Sequence, residues 1–159
     1  MEQFLLIITV LLTSLTAGVF FGYSTSVNWA LRKLKDDGYI RTMQHINKVI
    51  ENPLFLAAFM LPLLLLPLVA FLYGGPLNAP RFMLLAGAAF LYIIGTFGVT
   101  VAGNIPLNKT LDAIVVDSAS PEELSAARKR FEGPWNGLHT IRTLFAIASV
   151  VLLVWALLS

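Results

Sequence analysis

The residues able to do acid–base or anion-binding chemistry inside an apolar environment concentrate in one stretch of this chain. Gly133 to Thr143 reads Gly-Pro-Trp-Asn-Gly-Leu-His-Thr-Ile-Arg-Thr. It stands where a polar, charged segment turns into the last apolar run. On a helix Trp135 and His139 are four apart and His139 and Arg142 three apart, so all three share one face. Histidine is a base near neutral pH, arginine a permanent cation suited to oxyanions, and tryptophan a wall on which a flat ring stacks. An imidazole and a guanidinium at the mouth of a greasy helix are expensive without partners or a task. Everything upstream therefore faces one question: what does it place opposite this face?

Composition bounds the class. Of 159 residues, 57% are hydrophobic and 13% charged, and the mean hydropathy is +0.78. Soluble domains are about a quarter charged. Long uncharged runs account for the difference, so the chain reads as an all-α integral membrane protein. Four spans of roughly 20 residues plus connectors use up its length, giving a single domain over 1–159. With no cysteine, disulfides, thiol catalysis and thiolate metal sites are excluded. A net charge of +2 is too small to suggest nucleic acid.

The elements follow from run length and periodicity. A first span is expected near 3–35, retained rather than cleaved, ending at the cations Arg32, Lys33 and Lys35 and broken by Gly38. Along it Ser14, Gly18, Gly22 and Ser26 recur every four residues, a small-residue stripe that admits another helix. The expected neighbour is a helix of the same chain, with a homo-oligomer seam as the alternative. Ile40, Met43, Ile46 and Ile50 then recur at helical spacing in a polar background, predicting a short amphipathic helix near 39–51. On it Asn47 and Gln44 border the apolar face, and His45 points to solvent.

Asn52-Pro53 caps and opens a second span over 53–73, with Pro62 and Pro67 expected to kink it. A turn over 74–80 leads to a third span over 81–103. There Thr96, Thr100, Asn104, Asn108 and Asp112 form a polar stripe that Asn104-Ile105-Pro106 is expected to interrupt. Ser120-Pro121-Glu122-Glu123 starts a second short connector helix, 121–132, whose closing Arg128, Lys129 and Arg130 read as a solvated, headgroup-facing end. Pro134 then opens the fourth span, near 135–158.

Of the 11 Lys and Arg, five fall in or beside the first connector, five around the third and only Arg81 in the short second loop. The positive-inside rule puts both long connectors in the cytoplasm and both termini outside the plasma (inner) membrane. Asn28, Gln44, Asn47, Asn104, Asn108, His139 and Arg142 then lie at one level of one bundle. Polar groups from four segments at one level point to a lined pocket. Arg142 is expected to be buried there and paired with Asp112, Asn104, Asn108 or connector carbonyls, since an uncompensated charge costs roughly 2.5–3.5 kcal/mol on the insertion scale.

These residues also carry a resemblance. Met43-Gln44-His45-Ile46-Asn47 with Asn52-Pro53-x-Phe55, then Gly98-Val99-Thr100 leading to Asn104-Ile105-Pro106-Leu107-Asn108, then Trp135-x-x-x-His139-x-x-Arg142-Thr143, resemble in order the motifs of the anthrone oxygenase-like family of small four-span membrane proteins. Leu138 stands where many members have a second Trp, and His139 where Asn is common. The resemblance implies oxidation of an anthrone to an anthraquinone without a cofactor.

Three functions are compatible with these residues. The first is an oxygenase for a small, apolar, phenolic aromatic substrate that arrives through the lipid bilayer. An anthrone that loses a proton gives a stabilised carbanion able to reduce dioxygen itself. The protein then supplies a base, a cation and a dry aromatic pocket. His139 is the candidate base and Arg142 the anion clamp. Trp135, with Trp29 or Phe97, is the stacking wall, and Asn104 and Asn108 are carbonyl donors, with Asn28, Gln44 and Asn47 completing the lining. The second is a non-catalytic membrane protein that binds a lipid, quinone or hydrophobic metabolite in the same pocket, or supports a partner. The third, haem or metal binding, has only two histidines and no cluster with ligand spacing, so no metal site is expected.

Overall fold

The structure, a computed structural model, describes residues 2–77 and 79–159. Asn78, within the expected second turn, lies outside them. The described residues form five helices and no strand. These are α1 (Gln3–Leu31), α2 (Asp36–Ile50), α3 (Pro53–Tyr73), α4 (Pro80–Asp112) and α5 (Pro121–Leu158). All but α2 are long and apolar enough to cross a membrane, the architecture of a four-span integral membrane protein. α1 packs on α3 and α5, and α4 packs on the same two, closing a four-helix bundle. α2 lies across the connector end, against α5 and the last turns of α4.

The helices run differently from the sequence expectation in four places. α1 stops at Leu31, and Gly38 falls in the first turn of α2 rather than ending α1. A Gly costs little there, because first-turn N–H groups have no helical partners anyway. α4 passes through Asn104-Ile105-Pro106 without a break. Wide π-type turns over Leu91–Gly98 and Thr100–Asn104 precede Pro106, and the Ile105 N–H reaches back five residues to the Thr100 carbonyl. The wider turn absorbs the hydrogen bond that proline cannot make. The expected connector helix 121–132 and the fourth span are one helix, because Pro134 sits inside α5 without ending it. The small-residue stripe, finally, is not covered by the chain's own helices. Gly18 and Ser26 are exposed, and nothing lies within 4 Å of a Cβ built at Gly18 or Gly22.

The first of the two prolines inside α3 shows how the bundle satisfies its backbone. Pro62 has no N–H for the Ala58 carbonyl, and Thr16 Oγ1 of α1 donates to that oxygen instead, at 2.9 Å. At the next residue Tyr92 Oη of α4 donates to the Phe59 carbonyl at 2.9 Å, and Ser149 Oγ of α5 donates to that of Ala88 at 2.8 Å. The close approach of α4 and α5 requires glycine: a Cβ on Gly95 would overlap the Phe145 ring, and one on Gly103 would sit 2.7 Å from Leu138 Cδ1. An apolar core of Leu6, Leu66, Val69, Leu85, Tyr92 and Leu153 fills the end with the termini. Leu31, Ile40, Met43, Leu111, Phe131 and Trp135 fill the connector end.

The connector end is tied together by polar contacts. Gln44 Nε2 donates to the carbonyls of Leu111 and Ile114, at 2.9 and 3.0 Å, pinning α2 to the end of α4. Arg41 binds Asp117 at 2.6 Å, and this partner holds the exposed carboxyl below the usual carboxylate range. Arg128 is not the solvated cation expected of it. It donates to Glu132 at 2.7 Å, to Asp36 at 3.1 Å and to the Leu34 carbonyl at 2.8 Å, and it lies over the Tyr39 ring. Lys129 and Arg130 remain exposed. Asn52 Oδ1 caps α3 through the Phe55 N–H, and Ser120 with Glu123 forms the reciprocal cap of α5, both as their sequences foretell.

Candidate functional site

Because Pro134 does not end α5, Phe131, Trp135, His139 and Arg142 stack along one helix face at spacings of four, four and three. Phe131 and Trp135 lie 5.9 Å apart, and Trp135 and His139 4.9 Å apart with only 8° between their planes. The Arg142 guanidinium continues the column, 4.3 Å from the Phe20 ring and 5.2 Å from that of Trp135. Trp135 is locked by an Nε1–H bond to Asn108 Oδ1 at 2.8 Å. Asn104 Nδ2 donates to the Trp135 carbonyl at 3.2 Å. The polar stripe of α4 therefore sets the orientation of the aromatic stripe of α5. Thr96, Thr100 and Asn104 are all buried along it.

His139 is 1% exposed, and both ring nitrogens are engaged. Nε2 lies 3.1 Å from the Phe20 carbonyl, an acceptor, so Nε2 carries the proton. Nδ1 then offers its lone pair to Arg142, whose Nε and Nη2 lie 3.1 and 2.9 Å away. Arg142 Nη1 also donates to Thr100 Oγ1 at 3.3 Å. These contacts use three of the five guanidinium N–H groups.

Arg142 is buried as expected, at 8% exposure, but its partners are not the expected ones. Asp112 is exposed, and no carboxylate among the described residues pairs with Arg142. Asn104 and Asn108 are committed to Trp135 instead. The cause is the unbroken α4, which carries Asp112 two turns beyond Asn104 and onto the exterior. The result is a cation held by neutral and aromatic groups, with two N–H donors left over.

Arg142 borders a cavity of about 290 Å³ at the connector half of the bundle, near the lower end of ligand-site volumes. Phe20 and Tyr23 come from α1, Met43 and Asn47 from α2, Phe55 and Phe59 from α3, Thr100 and Asn108 from α4, and Trp135, His139 and Arg142 from α5. Leu56, Met60 and Ile105 line it yet are exposed on the bundle exterior, so part of its rim is apolar and at span level.

The other sequence candidates are placed elsewhere. Trp29 is 61% exposed and lies against Arg32, not in the cavity. α1 is wound through a wide turn at Tyr23–Val27, which changes the face on which Trp29 emerges. Asn28 is half-buried and outside the lining, Gln44 is spent on the connector, and Phe97 packs on Phe59 behind the wall. Sequence reasoning passed over Phe20, Tyr23, Phe59, Phe131 and Glu51. Phe131 was legible, one helical turn before Trp135. Phe20, Tyr23 and Phe59 depend on which faces of α1 and α3 turn inward, and in uniformly apolar helices nothing marks that.

Among the described residues no three His, Cys, Asp or Glu side chains gather as a metal site, and His45 is exposed on α2. No curated protein and no solved structure matches the chain. The family model of the anthrone oxygenases matches residues 54–152, which include the polar stripe of α4 and the Trp135–His139–Arg142 column but not the α2 motif. With more than half of its length covered, the chain belongs to the anthrone oxygenase family.

Proposed function

We propose that this protein is a membrane-embedded oxygenase for an apolar phenolic carbon acid of the anthrone type. The observation that carries the reading is Arg142, a buried cation that lines an aromatic cavity, has no carboxylate partner among the described residues and keeps two N–H donors outside the contacts named above. Such a group stabilises an anion that forms inside the cavity, in a medium where the interaction is strong. An anthrone develops that anion on its carbonyl oxygen when the ring carbon opposite loses a proton. Trp135, Phe20 and Phe59 supply flat apolar walls for the rings.

His139 Nδ1 is the base. It becomes available as Arg142 turns from it to the substrate oxygen, so oxyanion capture and proton removal are one event. The carbanion then gives an electron to dioxygen, and the resulting radical and superoxide combine at carbon. The proton held by His139 passes to the peroxide so formed, and loss of the second carbon-bound proton then forms the carbonyl, breaks the O–O bond and expels hydroxide, which takes up that proton as water. One oxygen atom ends in the new carbonyl and the other in water, with no external reductant. The substrate reaches the cavity from the bilayer past Leu56, Met60 and Ile105, and the connectors face the cytoplasm.

The test is oxygen uptake by purified protein with anthrone, compared with Arg142→Gln. Loss of about 10²-fold or more is expected for removal of an anion-stabilising group. Full activity in Arg142→Gln would refute the reading. The second reading, a protein that binds a quinone, lipid or hydrophobic metabolite without turnover, is favoured by one observation: both His139 nitrogens are engaged at rest. A copurifying ligand with no oxygen uptake over a broad phenolic panel would select it.

A further inference from the structure

Most polar groups bordering the cavity are spoken for. His139 uses both nitrogens, Asn108 Oδ1 accepts from Trp135, Thr100 Oγ1 donates to the Thr96 carbonyl, and Tyr23 Oη contacts Met43 Sδ. Asn47 is different. It lines the cavity from α2 at 7% exposure, its Nδ2 is buried without a partner, and no hydrogen bond within the described residues reaches its amide. The neighbouring Gln44, by contrast, is satisfied twice on the connector. An unpartnered amide weakens the fold and is satisfied only by what enters the cavity.

Glu51, just past the end of α2, lines the same cavity. It is exposed and has no ion-pair partner among the described residues. One wall thus carries the Arg142 cation, while the α2 side carries a neutral amide beside a free carboxylate. A second negative charge on a ligand would be repelled at the α2 side, whereas a hydroxyl or carbonyl would be bound there.

We infer that Asn47 is the second polar anchor of the cavity, and that its ligand carries an uncharged oxygen in addition to the ionisable one held by Arg142. Asn47 then sets specificity for hydroxylated over bare aromatic carbon acids. This rests on the assignment of Arg142 to the ionisable oxygen.

The probes are anthrone and its 2-, 3- and 4-hydroxy derivatives, titrated into the purified protein under argon by calorimetry, so that turnover is not required. Wild type is expected to bind the best hydroxyanthrone about tenfold more tightly than anthrone, the upper end for one neutral hydrogen bond. Asn47→Leu should erase that preference, weakening the hydroxyanthrone alone and leaving anthrone within about twofold. Because Asn47 has no internal bond to lose, Asn47→Leu and Asn47→Met should melt at or above the wild-type temperature. Equal weakening of both ligands, no preference in wild type, or lower melting of both variants would each overturn the assignment. Binding without preference leaves the Arg142 site standing and removes only the role of Asn47. No binding of any probe removes both.

Discussion

Arg142 reaches back one turn of α5 and donates from Nε and Nη2 to His139 Nδ1, at 3.1 and 2.9 Å. A buried imidazole is thereby held in one tautomer, with its Nδ1 lone pair covered by the guanidinium. Glutamine at 139 can still accept from Arg142 but is no base. His139→Gln should therefore fold as wild type yet take up oxygen with anthrone about 10²-fold more slowly, the lower end for loss of a general base. A rate within a few-fold of wild type would mean that His139 only positions Arg142.

A cation without a counter-charge is a burden on the fold. Arg142→Met keeps most of the side-chain volume and removes that burden, at the loss of contacts with Phe20 and Trp135. It should melt at or above the wild-type temperature in detergent while losing anthrone-dependent oxygen uptake. A melting temperature lowered by 10 °C or so would show that Arg142 is there chiefly to hold the bundle.

Gly95 lies under Phe145 with no room for a methyl group, whereas Gly18 faces open space. Gly95→Ala should cost about 1–3 kcal/mol, the range for overpacking a core. Gly18→Ala should be neutral or slightly stabilising, because alanine favours a helix. Thermal melts of the two variants side by side decide it, and equal behaviour would contradict the close approach of α4 and α5.

Arg128 and Lys129 are adjacent in sequence but different in circumstance. Arg128 bridges α5 to Asp36 and the Leu34 carbonyl, while Lys129 is exposed. Arg128→Ala should free the α1–α2 junction and raise its hydrogen exchange, with Lys129→Ala unchanged. No difference between them would leave Arg128 as the headgroup-facing cation its sequence context suggests.

Several features were legible without coordinates because they depend on composition or on neighbours in sequence. Four spans follow from uncharged runs, which must bury their backbone in helices once in lipid. The caps at Asn52 and Ser120 need only residues three apart, and the shared face of Trp135, His139 and Arg142 needs only helical periodicity. What tertiary structure decided is everything that depends on a partner from another segment. Pro106 and Pro134 look like breaks, yet wide turns before Pro106 let α4 continue, and α5 runs through Pro134. Asp112 is carried outside, Arg142 is left to His139 and Thr100, and Asn104 and Asn108 are given to Trp135. Trp29 leaves the site because a wide turn in α1 rotates it outward. Phe20 and Phe59 join it because α1 and α3, apolar all round, reveal their inner faces only when packed.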